Sequence, residues 1–78
     1  MQSYDQPLDM VGKSIGERMV IRLRNKTQID GKLVAYDEHL NLMIEAATIR
    51  KGDTTTSRNL MYLRGDTVLL MGKPSEWL

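Results

Sequence analysis

Residues 18–47 read RMVIRLRNKTQIDGKLVAYDEHLNLMIEAA, and the period of this stretch decides the fold. Met19, Ile21 and Leu23 fall on one side of a two-residue alternation, and Arg18, Arg22 and Arg24 fall on the other. That is the pattern of a half-buried strand. Asn25-Lys26 marks a tight turn. Ile29, Leu33 and Ala35 then alternate with Gln28, Asp30, Lys32 and Val34. Gly31 sits inside this second strand, where a glycine signals a strong bend or a close approach of another backbone. Asp37-Glu38-His39 interrupts the pattern. Leu40, Leu42, Ile44 and Ala46 resume it against Asn41, Met43, Glu45 and Ala47, which gives a third strand.

Outward from this stretch, Pro7 to Gly16 predicts a short N-terminal helix. Leu8, Val11 and Ile15 recur at helical spacing, Pro7 suits the first turn and Gly16 suits the stop. Thr48 to Ser57 is expected as a polar loop and Arg58 to Leu63 as the fourth strand. Arg64-Gly65-Asp66 turns into the fifth strand, Thr67 to Met71, which Gly72-Lys73-Pro74 ends. The expected fold is mainly β: a short helix, then a five-stranded, strongly bent antiparallel sheet or open barrel. The domain spans 7–74, with tails at 1–6 and 75–78. Leu60, Met61, Tyr62, Val68, Leu69 and Leu70 make the last two strands too apolar to leave as bare sheet edges. Pairing of one copy's fourth strand with a neighbour's fifth would cover both.

Composition narrows the function. Seventy-eight residues make one domain, and a chain of this size buries only about 60–65% of its unfolded surface. Oligomerisation is therefore an expected source of stability. The absence of cysteine excludes a disulfide framework and a thiolate metal site, and one histidine cannot build a histidine-rich metal centre. No cofactor is expected. No apolar run approaches the roughly 20 residues of a membrane span, and Met1-Gln2-Ser3-Tyr4-Asp5 lacks a signal-peptide pattern, so an intracellular protein is expected. The net charge is only +1, so any nucleic acid must be held by a local site or by charge summed over several copies.

Two strand-end segments complement each other: Asp37-Glu38-His39-Leu40-Asn41 and Arg64-Gly65-Asp66. If they meet, an imidazole, an amide and a guanidinium converge, which is what holding one unstacked nucleobase requires. His39 and Arg64 are the two planes, although each also reads as a plain solvated side chain. Asn41 presents the oxygen and NH2 that match the N3–H and O4 of uracil; otherwise it is a turn residue. A flipped amide would fit cytosine, and Asp66 beside it is expected to fix the orientation. Gly65 either relaxes a turn or admits the RNA to the backbone. Asp37 ties its own loop through backbone N–H groups. Catalysis is disfavoured, because no nucleophile elbow or phosphate-cradling loop is present. Arg64-Gly65-Asp66 also spells an adhesion tripeptide, which nothing else in the chain supports.

These motifs resemble the Sm and Sm-like (LSm) family over nearly the whole chain. Arg18 to Ala46 is similar to the first Sm motif, including Gly31 and Asp37 to Asn41. Leu63-Arg64-Gly65-Asp66 and the apolar strand after it are similar to the second. Arg24-Asn25, Ala35-Tyr36-Asp37, His39-Leu40-Asn41 and Arg58-Asn59 resemble the third eukaryotic branch of the family. The long acidic insertion usual there is replaced by a short, mildly basic segment with Arg50, Lys51 and Arg58. An archaeal Sm-like protein is the alternative. The resemblance implies a ring, usually of seven, joined through the fourth and fifth strands. It implies U-rich single-stranded RNA at the pore, with Asp37, His39, Asn41, Arg64, Gly65 and Asp66 as the contact set. In its eukaryotic form it implies U6 snRNA in splicing, mRNA decay, and nuclear and cytoplasmic location. A ring-completing subunit with little RNA contact is the competing role, and an archaeal homo-oligomeric RNA chaperone is another.

Overall fold

The computed structural model describes residues 11–74. Five antiparallel strands form one sheet: β1 (Arg18–Leu23), β2 (Thr27–Tyr36), β3 (Leu42–Lys51), β4 (Thr54–Leu63) and β5 (Val68–Gly72), in the order β4-β3-β2-β1-β5. The helix expected from Pro7 lies in large part outside the described residues. Val11 and Gly12 are helical, and the chain then runs through turns to Gly16, at φ +87°, whose N–H donates to the Leu33 carbonyl. Val11 is buried as the helical spacing requires, whereas Ile15 stands on the surface.

The alternation read from the sequence places the core. Ile21, Ile29, Leu33, Leu42 and Ile44 are almost completely buried, and Met19, Leu63 and Ala47 join them. Full burial of each large side chain is worth about 1.5–3 kcal/mol. Two details differ from the sequence reading. Val20, on the opposite face of β1, is buried as well. On β3 the inward residue is Ala47 and not Ala46, because Ala46 adopts φ +52°. Between the pairs Asp30–Thr48 and Lys32–Glu45, one residue of β2 faces two of β3. This bulge shifts the alternation by one and bends the sheet.

Gly31 is the single residue opposite that bulge. A Cβ there would collide with Ile44 Cγ2 and come within 3.2 Å of Ala47 Cα and the Glu45 carbonyl oxygen. The mid-strand glycine thus serves the close approach that the sequence suggested. The polar loop expected over Thr48–Ser57 is instead strand on both sides. Lys51 pairs with Thr54, and only Gly52-Asp53 turns, with Gly52 at φ +60°. Three threonines and a serine continue the ladder because β-branched and polar side chains suit an exposed hairpin. The fifth strand begins at Val68, one residue later than expected, because Gly65–Thr67 forms a 3-10 turn.

The sheet does not close on itself, so β4 and β5 are free edges. Leu60 and Tyr62 on β4, and Leu69 and Leu70 on β5, are each more than half exposed, at 55%, 57%, 54% and 51%. Gly31→Ala is expected to lower the unfolding free energy by about 1–3 kcal/mol through overpacking against β3. The shift of the urea midpoint measures this, and an unchanged midpoint would show that the bend tolerates a methyl group.

Candidate nucleic-acid interface

The β2–β3 loop is shaped by one carboxylate. Asp37 Oδ1 accepts the backbone N–H groups of His39 at 2.9 Å and Asn41 at 3.0 Å. Asp37 Oδ2 accepts Asn41 Nδ2 at 2.9 Å and the Tyr62 hydroxyl at 3.2 Å. The backbone closes the same loop, with Leu40 N–H on the Asp37 carbonyl and Asp37 N–H on the Asn41 carbonyl. Leu40 takes φ +61°, the strained corner that these bonds enforce. The Asn41 side chain, foremost among these donors, holds the Asp37 carboxyl below its ordinary range. Partial desolvation, and then the Asp37 carboxylate, push the Tyr62 phenol up.

The second loop docks on the first. Gly65 N–H donates to Asn41 Oδ1 at 2.8 Å. A Cβ on Gly65 would collide with the His39 carbonyl oxygen and meet that of Leu40 at 2.7 Å. Gly65 is not among the residues with positive φ, so its smallness is needed here and its flexibility is not. What it admits is the other loop's backbone, a case the sequence analysis did not consider. Within the second loop, Arg64 pairs with Asp66 at 3.0 Å, and Thr67 Oγ1 donates to the Arg64 carbonyl. Arg24 reaches in from the β1–β2 turn, its Nε donating to the Asp66 carbonyl.

The six residues singled out in the sequence therefore sit on two contacting loops. His39 and Arg64 project with 76% of their side-chain surface exposed, as an open pair of planes needs. The lock on Asn41 is relocated. Asp66 is occupied by Arg64, whereas the two ends of the amide are engaged by Asp37 and Gly65. A flipped amide would set its oxygen against the carboxylate and its NH2 against the Gly65 N–H. Both contacts repel, so the orientation is fixed. Beyond these two bonds the amide has one further N–H and one further oxygen lone pair, and the Tyr62 hydroxyl lies beside it as well. Sequence reasoning missed Tyr62 as a polar member and counted it among edge apolar residues. The usable signal was its place two residues before Arg64, at the end of the strand that leads into the second loop.

Comparison with known proteins adds to this geometry. The LSM domain model matches residues 9–73. This chain belongs to the LSM family. Among LSM proteins, the Schizosaccharomyces pombe LSM complex subunit lsm3 is 34% identical over 87 residues, covering 94% of each chain. A heptameric archaeal Sm protein of known structure superposes with TM-score 0.75 at 31% identity, over 83% of this chain and 96% of its own. The Pyrococcus abyssii Sm protein in complex with a uridine heptamer superposes with TM-score 0.79 at 26% identity, over 87% and 97%. The bent five-stranded sheet is thus the Sm fold. Among the described residues of this LSM chain, no helix is long and apolar enough to cross a membrane.

The depressed ionisation of Asp37 gives a pH dependence with a defined sign. Its contribution to stability is complete above the ordinary aspartate value of 3.8 and is lost as pH falls through the lower folded value. Between pH 6 and pH 2, urea midpoints should fall more steeply for the natural chain than for Asp37→Asn. Parallel curves would show that the carboxylate bonds add no net stability.

Proposed function

We propose that this LSM protein is a non-catalytic RNA-binding ring subunit that takes one uracil per subunit from U-rich single-stranded RNA. The observation that carries the reading is the Asn41 amide anchored at both ends, on two contacting loops that also carry the exposed planar side chains of His39 and Arg64. The fixed amide accepts from uracil N3–H and donates to O4, while cytosine presents the opposite pair. His39 stacks on one face of the base. Arg64, tied at its edge by Asp66, offers a guanidinium face to the other. Asp37 fixes the amide and Asp66 fixes the arginine. The archaeal relative solved with a uridine heptamer supports the ligand class.

Assembly follows from the edges. Two strands expose both unpaired backbone groups and large apolar side chains, and joining β4 of one subunit to β5 of the next satisfies both. The heptameric archaeal relative supports a ring. Other Sm-like subunits, or further copies of this chain, are the partners. The likeness to LSm3 proteins, one of which is named as U6 snRNA-associated, supports U6 snRNA as a ligand; roles in splicing and mRNA decay, with nuclear and cytoplasmic location, belong to the same proposal. Recovery of neither RNA class with the endogenous protein would remove that cellular role and leave base binding intact.

Two tests address this function. Charging the edge by Leu69→Glu with Leu70→Glu should convert the oligomer to monomer in sedimentation; an unchanged mass would exclude these edges as the contact. With the assembled protein, His39→Ala or Arg64→Ala should weaken oligo-U and oligo-C alike, by about 1–3 kcal/mol per base stacked. Asn41→Ala and Asp37→Asn should instead reduce the preference for oligo-U over oligo-C, and Asp66→Asn should leave that preference nearly intact. A preference that follows Asp66 and ignores Asp37 would refute the readout described.

A further inference from the structure

Asp37 receives four hydrogen bonds, and three of them come from within its own loop: His39 N–H, Asn41 N–H and Asn41 Nδ2. Those three lie within the loop itself. The fourth comes from Tyr62, which lies 25 positions away on the edge strand β4. Tyr62 pairs with Met43 across the β3–β4 ladder, so its backbone is held by the sheet. Its hydroxyl donates to Oδ2, the same oxygen that receives the Asn41 amide. The remaining fixed contact of that amide, Gly65 N–H, acts on its opposite end.

We propose that Tyr62 is a positioning residue for base discrimination, its hydroxyl holding the Asp37 carboxylate in the one orientation that keeps the Asn41 amide facing uracil. This rests on the uracil-reading function proposed above. The small hollow of about 120 Å³ beside these groups, lined in part by Tyr36, Met43 and Tyr62, gives the carboxylate room to turn if the phenol lets go. The residue also ties the base site to the edge. Tyr62 is 57% exposed on β4, so pairing of that strand with a neighbour would restrict its ring and, through Asp37, the amide. A monomer would then read its base less strictly than an assembled subunit.

Tyr62→Phe removes one oxygen and keeps the ring, so assembly should survive, as mass measurement will show. In the assembled variant the preference for oligo-U over oligo-C is expected to fall about two- to tenfold, the effect of one net hydrogen bond. Combined with Asp37→Asn, Tyr62→Phe should cause no further loss, because both act through one carboxylate. By NMR, the Asn41 side-chain NH2 protons should exchange places faster in Tyr62→Phe than in the natural protein. An unchanged preference, additive losses or unaltered amide signals would overturn the role. Failure of Tyr62→Phe to assemble would overturn it too, by assigning the hydroxyl to the subunit contact. If the natural assembly fails to bind oligo-U, the proposed function falls, and the amide signals alone decide whether Tyr62 positions Asn41.

Discussion

One side-chain amide bridges the two motif loops, and the site depends on that bridge. Asn41 gives an N–H to Asp37 and takes an N–H from Gly65. A charged acceptor at one end makes the first bond stronger than a neutral pair. The second bond exists only because Gly65 has no Cβ to strike the backbone at His39 and Leu40. Charge and smallness therefore act on the same few atoms. Without the carboxylate the amide loses its sense of direction. Without the glycine a Cβ would press on the backbone at His39 and Leu40 and force the loops apart.

The sheet supplies the framework for this bridge. β2 delivers Asp37 at its end and β4 delivers Arg64 at its own, and β3 lies between them with Asn41 just before its start. Three neighbouring strands must therefore reach the same rim of the sheet. Their registers are set by the Gly31–Ala47 bulge and the inward run of Leu33, Leu42 and Ile44. A slip of one residue would turn Asn41 to the other face. The core thus fixes the reading geometry as well as the stability.

Much of this was legible in residues 18–47. The period of two located β1, β2 and the start of β3, and Gly31 flagged the bend, because core side chains must alternate wherever one face is buried. That the two segments carrying the six candidate residues meet was legible, because they stand at strand ends, and the structure joins them through Asn41 and Gly65. Three features were hidden. Ala46 at positive φ moved the inward position to Ala47, and nothing about an alanine announces that conformation. Thr48 to Ser57 reads as loop by composition, yet ladder pairing with β2 and between the two arms makes it strand. The amide lock was expected from Asp66 on the facing segment, whereas the carboxylate that holds the amide is Asp37, four residues before Asn41 in its own tight loop.

Such a small sheet carries a tension that its edges express. Among the described residues the core is built from ten apolar side chains, and the two outer strands keep Leu60, Tyr62, Leu69 and Leu70 in water. A monomer of this design would be marginal and prone to edge pairing. An open sheet with complementary free edges gains stability by repeating head to tail, and a ring is the form in which that repetition closes. The proposed base site would gain from the same step. Single-base stacking is weak, but several identical sites facing one strand act together, since each added base binds at the high effective concentration set by its neighbours. The apolar edges and the two-loop clamp are thus parts of one design: a site too weak to act alone, on a sheet that assembly would complete.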